Sequence, residues 1–397
     1  VSAFSLLQIV PGALADFLRA WGLPLATLCI MAAVTTAAQP AARRSAARFF
    51  LRWEWMLVLL IVLLAVLNSS LSPYFLRFDN LMRASRDYVE IGVMMLAMVF
   101  VIITGGIDLA VASTLALTAS FMGWLFNAGW NIWGAAALAI VLGIGCGALN
   151  GFLISRVKLP PLVVTLGTFA FYRGMAYVLL GDQAARGYPA SFLFIGQGRL
   201  FGDLRVPFAL LLFFGLAIVF GLLLHKTAFG RKTFAIGNNE EACRYSGVPV
   251  ARTKMTIYIL SGLMASLAGI IMASRFGSTR PDIATGMELD VITATVLGGI
   301  SISGGSGTMM GAVLALILIA ELKFGMGLLN VQGQVQGVVI GMMLILAILL
   351  PNLGRTVGTR GLNVSARGLA LAAGAIALFG VFVWFFFWSR GIYLASL

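Results

Sequence analysis

Charge is scarce in this sequence. Asp, Glu, Lys and Arg make up 10% of its 397 residues, where a soluble domain carries about a quarter. With 60% hydrophobic residues and a mean hydropathy of +1.01, the chain cannot cover a water-facing surface. Its apolar runs repeatedly reach the roughly 20 residues needed to cross the hydrocarbon core of a bilayer. This predicts an all-α fold: a polytopic transmembrane helical bundle of about 10 to 12 helices.

Histidine and cysteine are nearly absent. His225 is the only histidine and stands beside Lys226 at the end of an apolar segment, an interfacial place and not a metal site. Cys29, Cys146 and Cys243 are far apart and match no zinc or redox spacing; they read as small packing residues. Few carboxylates fall within the apolar runs, so little is left for metal, acid–base or nucleophilic catalysis. No catalytic residue and no metal site is expected, and the chain is not read as an enzyme.

A phosphate loop of the form Gly-x4-Gly-Lys-Ser/Thr is also missing. The nearest approach is Gly230-Arg231-Lys232-Thr233, where Arg231 occupies the place of the required glycine. Gly304-Gly305-Ser306-Gly307-Thr308 has no lysine, and Gly196-Gln197-Gly198 lacks a strand before it. No nucleotide site is encoded here. A self-powered, ion-coupled carrier would show ionisable residues deep in its spans. The candidates Asp108, Arg173, Glu288, Asp290, Glu321 and Lys323 mostly stand near span ends.

What is present is a succession of apolar segments. The clearest are Trp53–Asn68, Val89–Thr104, Leu109–Phe126, Ile132–Ile154, Leu162–Leu180 and Pro207–Leu224. Met255–Ala273, Leu289–Ile300, Met309–Ala320, Val335–Leu350 and Leu369–Trp388 follow. Leu289–Ile300 is short for a straight crossing. Leu23–Ala38, interrupted by Pro24, is a weaker segment: a twelfth span, an interfacial stretch, or upstream sequence without a transport role. It lacks the charge and boundary of a cleaved signal peptide. The organisation read from this is an N-terminal extension at 1–42, a membrane domain at 43–351, and a link with an additional helix at 352–397.

The net charge of +13 forms no single stripe, so nucleic acid is not the partner. Lys and Arg lie between the apolar segments, as in loops on the cytoplasmic side. Placing Arg43, Arg44, Arg48 and Arg52 inside and alternating puts Arg156, Lys158, Lys226, Arg231, Lys232, Arg244, Arg252 and Lys254 inside as well, with Arg355, Arg360 and Arg367. Arg77, Arg83, Arg86, Arg186, Arg199 and Arg205 remain outside.

Two segments are alike. Val101-Ile102-Ile103-Thr104-Gly105-Gly106-Ile107-Asp108-Leu109 aligns with Ala294-Thr295-Val296-Leu297-Gly298-Gly299-Ile300-Ser301-Ile302. On the alternating topology both enter in the same direction, so a parallel internal repeat with broken helices is one reading. Chance similarity in a chain with 46 glycines is the other. Asp108 can cap the following helix or contact a solute. Ser301 to Thr308 reads as a second flexible break, suited to an enclosed or cavity-lining place.

The polar loop from Lys226 to Lys254 contains a helix signature. Asn238-Asn239 can cap, Glu240 and Glu241 suit a first turn, and Gly247 suits an end. Such a helix either docks into a groove on a soluble partner or is a solvated connection.

Three landmarks carry a resemblance: Ile102-Ile103-Thr104-Gly105-Gly106-Ile107-Asp108-Leu109; Pro161 to Thr168 followed by Tyr172-Arg173-Gly174; and Ala235-Ile236-Gly237-Asn238-Asn239 through Ser246-Gly247-Val248. From about Ser72 to Pro351 the sequence resembles the ribose/xylose/arabinose-type permeases of bacterial ABC importers, whose relatives include autoinducer-2 permeases. The resemblance implies a multi-pass protein of the bacterial inner membrane that imports a monosaccharide or similar polyhydroxylated solute. It implies an ABC ATP-binding subunit, which would hold ATP and magnesium, a second permease subunit and a periplasmic solute-binding protein as partners, with lipid around the helices. Asn238, Asn239, Glu241, Ala242, Ser246 and Gly247 then belong to the element that couples to the ATPase. Thr104, Asp108, Thr165, Thr168, Tyr172 and Gln334 are candidates for the solute path, because hydroxyls and amides can exchange hydrogen bonds with a sugar. Interhelical packing is the competing role for each. A secondary transporter or facilitator working without an ATPase is the alternative function, and an intramembrane enzyme a further one.

Overall fold

The computed structural model describes residues 53–200 and 205–345; the segments Leu23–Ala38 and Leu369–Trp388 and the cluster Arg43 to Arg52 lie outside the described residues. Among the described residues, six helices are long and apolar enough to cross a membrane. They are α1 (Trp53–Leu71), α5 (Ile132–Ser155), α6 (Pro161–Leu180), α8 (Phe208–Lys226), α11 (Val250–Phe276) and α13 (Met309–Leu328). Shorter apolar helices are α3 (Val89–Ile103), α4 (Val111–Asn127) and α14 (Gly333–Ile345). Between them lie α2 (Phe78–Arg86), α7 (Ala190–Gln197), α9 (Ala228–Asn238), α10 (Glu240–Tyr245) and α12 (Met287–Leu297). Among the described residues, strand is confined to two antiparallel pairs of two-residue strands: β1 (Ala185–Arg186) with β4 (Ser278–Thr279), and β2 (Arg199–Leu200) with β3 (Val206–Pro207).

The helix α3 is the centre of the bundle: all 15 of its residues are buried. Such a helix, apolar on every side, satisfies its backbone internally and needs no solvent face. In α1 only Leu57 and Asn68 are buried, and Leu59, Val62 and Val66 point outward. This is the surface a lipid layer would cover.

Close packing of α5 on α11 rests on small residues. A Cβ on Gly147 would stand 2.2 Å from the Tyr258 carbonyl oxygen, and one on Gly262 would stand 2.0 Å from that of Gly143. Gly143, Gly147 and Gly151 recur every fourth residue, which places them on one face. The two backbones approach as small-residue stripes allow in membranes.

Paired contacts give the helix directions. Glu90 at the start of α3 pairs with Arg275 at the end of α11, whereas Gly106, just past α3, lies against Tyr258 near the start of α11. The two are therefore antiparallel. After α3 the chain reverses: Asp108 bonds Ser261, and Gly269 backs onto Leu115 and Thr118, so α4 runs with α11. A second hairpin is built likewise. Gly298 at the end of α12 packs on Ala312 at the start of α13, and Asp290 at the start of α12 takes Lys323 near the end of α13 at 2.7 Å. The same pair explains why α13 continues to Leu328 where hydropathy predicts an end at Ala320. Asp290 neutralises Lys323, so the charge can stay inside the apolar bundle.

The two hairpins turn at the same end. Their similarity in sequence has a one-residue offset in structure, because Gly105 (φ +77°) and Gly299 (φ +84°) take the left-handed position after each helix. The sequence alignment instead pairs Gly105 with Gly298. Helix length decides this: Thr104 and Gly298 are the C-caps of α3 and α12, so the glycine that follows each cap is the one that must adopt positive φ.

Candidate functional site

Two places concentrate the sequence-predicted residues. One is the loop from Lys226 to Lys254. Thr227 opens α9 by accepting from the Gly230 amide, and the end of α9 leads directly into α10. Asn239 caps α10, its side chain accepting from the Ala242 amide at 2.9 Å. Glu240, in the first turn, binds Arg244 one turn on and Lys254 of α11. Gly247 closes α10 in the left-handed conformation (φ +77°); its amide donates to Arg244 O at 3.2 Å and the Val248 amide to Cys243 O at 3.0 Å. This pair of bonds is the Schellman ending of a helix. Cys243 packs with Ile236, Val248 and Val250, so one face of α10 is anchored. Glu241, Ala242, Tyr245 and Ser246 face outward, and Tyr245 is 86% exposed.

Burial raises the Glu240 carboxyl, but hydrogen bonds and charges from Lys254 and Arg244 outweigh it and hold it below its ordinary value. The pair fixes α10 against α11 and leaves Glu241 free of the cluster.

The end of α9 is wedged between both hairpin turns. The Gly305 amide donates to Ile103 O at 2.9 Å. A Cβ on Gly237 would stand 1.8 Å from that same oxygen and 2.5 Å from the Gly305 nitrogen. One on Gly305 would meet the Asn238 side chain at 2.4 Å. Thus Gly237, two residues before α10's cap, the end of α3 and the turn between α12 and α13 share one contact. Asn238 belongs to this junction and Asn239 to the cap.

The second place is the turn between α3 and α4. Asp108 is buried and accepts from the Ala110 amide at 3.0 Å and from the Ser261 hydroxyl at 2.7 Å. It therefore braces Ala110, the residue that opens α4, and ties this turn to α11. Thr165 donates to Ile107 O at 3.0 Å, joining α6 to the turn. Tyr172 donates to Cys146 O at 3.0 Å and lies 3.3 Å from Asn150 Oδ1, joining α6 to α5. The hydroxyls of Thr104 and Thr168 bond within their own helices, to Val101 O and Val164 O. The Tyr258 hydroxyl lies over Gly106 without a hydrogen-bond partner among the described residues. Gln334 is on the exposed part of α14 and is not brought to this cluster. Asp108, Thr165 and Tyr172 are brought together around one turn, each engaged with backbone or helix neighbours.

Ser261 and Tyr258 had no role in the sequence reading, and Gly237 and Gly305 stood only within longer segments, the third landmark and the break from Ser301 to Thr308. Ser261 is 153 residues from Asp108, and no local pattern links them. His225 accepts from the Met309 amide at 3.2 Å, joining the end of α8 to the first turn of α13.

Residues 81–348 match the family described as branched-chain amino acid transport system / permease component. The chain belongs to this permease family. The permease is 36% identical over 302 residues to the autoinducer 2 import system permease protein LsrD of Yersinia pseudotuberculosis serotype O:1b, covering 75% of this chain and 90% of that protein. The LsrD of Klebsiella pneumoniae subsp. pneumoniae is 35% identical over 302 residues, covering 75% and 91%. LsrD of Yersinia pestis strain Pestoides F is 36% identical over the same length. No solved structure matches the permease. The matched region spans both hairpins and the α9–α10 loop, so every junction described above lies inside it.

Proposed function

We propose that the permease is the membrane-spanning subunit of an ATP-driven ABC importer in the bacterial inner membrane. Its solute is autoinducer-2 or a monosaccharide-like polyhydroxylated molecule, delivered by a periplasmic binding protein. The observation that carries this reading is the 36% identity running through 90% of an autoinducer-2 import permease. ATP and magnesium belong to a separate ATP-binding subunit, and a second permease subunit completes the path.

In this reading α10 docks on the ATP-binding subunit through Glu241, Ala242 and Ser246, with Asn238 and Asn239 at its entry and Gly247 at its exit. The anchored face and outward polar face of α10 support that role. Force applied to α10 reaches Gly237, and through it Ile103 and Gly305, so both hairpin turns move with one element. Asp108, Thr165 and Tyr172 hold the first turn, and they are assigned to the solute path together with Thr104, Thr168 and, on α14, Gln334.

The test is uptake by proteoliposomes containing the permease, an ATP-binding subunit and a binding protein, with autoinducer-2, ribose, xylose and arabinose as solutes. ATP-dependent accumulation of one of these is expected. Equal transport by the permease alone, without ATP, would instead make it a facilitator.

A further inference from the structure

At the end of the bundle that carries α10, a cavity of about 220 Å³ lies between the last turn of α5, the turn that leads into α6, α10 and the start of α11. Three cations line it, Lys158, Arg244 and Lys254, against one acid, Glu240. Glu240 is shared by Arg244 and Lys254, so the lining keeps an excess of positive charge, and no salt bridge holds Lys158 among the described residues. Ala251, in the first turn of α11, also lines the cavity. The free amides of that turn, at the start of a 27-residue helix, add partial positive charge.

The depth of the cavity is set by its neighbours. Both α5 and α6 are long and apolar enough to cross a membrane, and the short turn between them holds Lys158 at the end of both apolar segments. Leu159 in the cavity wall is 41% exposed, and Val157 and Leu162 beside it are 49% and 50% exposed. The cavity therefore combines a cationic lining with exposed apolar residues beside it, where two apolar helices end. Basic pockets of this kind between transmembrane helices recognise phosphate-bearing lipid headgroups.

We propose that this cavity binds the phosphate of an anionic phospholipid headgroup, held by Lys158, Lys254 and Arg244, with its acyl chains along Leu159 and Leu162. A free phosphate offers the same charge, but it leaves the apolar rim uncovered. Because Arg244 belongs to α10 and Lys254 to α11, a bound headgroup fixes α10 to the bilayer surface. It also competes with Glu240 for both cations.

Native mass spectrometry of the full-length chain in mild detergent tests this, with phosphatidylglycerol, phosphatidylcholine or inorganic phosphate added. Retention of phosphatidylglycerol over phosphatidylcholine by roughly thirtyfold is expected, as for about two cations near the membrane surface. The double variant Lys158→Gln, Arg244→Gln should bring the preference within about twofold, and Lys158→Gln alone should lower it about fivefold. Arg77→Gln with Arg83→Gln, at the opposite end, should leave it unchanged. Equal unfolding midpoints in phosphatidylcholine show that the variants fold. A preference that survives loss of Lys158 and Arg244 overturns the site. Displacement of phosphatidylglycerol by millimolar inorganic phosphate keeps a phosphate site and overturns lipid as its occupant.

Discussion

The Gly305 amide donates to the Ile103 carbonyl at 2.9 Å, joining residues 202 positions apart in the chain (305 − 103). Gly237 closes the contact from the loop between α8 and α11, with no room for a side chain. In Gly237→Ala the new methyl group would stand 1.8 Å from Ile103 O, so the end of α9 must withdraw. Overpacking of this kind costs about 1–3 kcal/mol. A lower unfolding midpoint in detergent and a loss of ATP-dependent uptake are expected. An unchanged midpoint with full uptake would remove Gly237 from the junction.

Gly247 is constrained by conformation and not by space. A Cβ there meets nothing within 4 Å, but φ is +77°. Gly247→Ala should cost about 1 kcal/mol and Gly247→Asn less, since Asn tolerates the left-handed region. Gly247→Arg adds charge and bulk beside the outward face of α10. Uptake and ATPase stimulation should fall in Gly247→Arg while membrane insertion is retained.

Glu241 is exposed and lies outside the Glu240 cluster. Glu241→Lys should leave the unfolding midpoint within about 0.5 kcal/mol of the parent, as for an ordinary surface position, and reduce uptake. Undiminished uptake and ATPase stimulation in both Glu241→Lys and Gly247→Arg would count against α10 as the coupling element.

Asp108 serves two helices at once. In Asp108→Asn one oxygen can still accept from Ala110, and the amide can donate to the Ser261 hydroxyl, so a change of about 1 kcal/mol or less is expected. Asp108→Ala loses the bond to the Ala110 amide and leaves the Ser261 hydroxyl buried, costing about 2–3 kcal/mol. Thermal unfolding of the two variants side by side checks the order. Equal midpoints would show that neither bond matters.

Acid should loosen α10. Since the Glu240 carboxyl is held below its ordinary value of 4.5, its partners favour the charged form. Its contribution to stability is complete above that value and is lost as the pH falls through the lowered one. Hydrogen exchange in α10 should therefore rise below pH 4.5 in the parent, and Glu240→Gln should remove that step. A step of equal size in Glu240→Gln would assign it to another group.

Composition alone determined that this chain belongs in a membrane. With so few charges, its long apolar runs have no solvent that would accept them except lipid, and their length fixes where most helices lie. Local chemistry was equally legible at α10, where Asn239, Glu240 and Gly247 mark start, first turn and end through interactions within a few residues. Only the tertiary structure decided how these parts meet. It carried α13 past Glu321, because Lys323 finds Asp290, and set the glycine register of the two turns. It also brought Gly237 between Ile103 and Gly305 and gave Asp108 its partner Ser261. Those relationships depend on backbone approach between segments far apart in sequence, where hydropathy and capping rules carry no information.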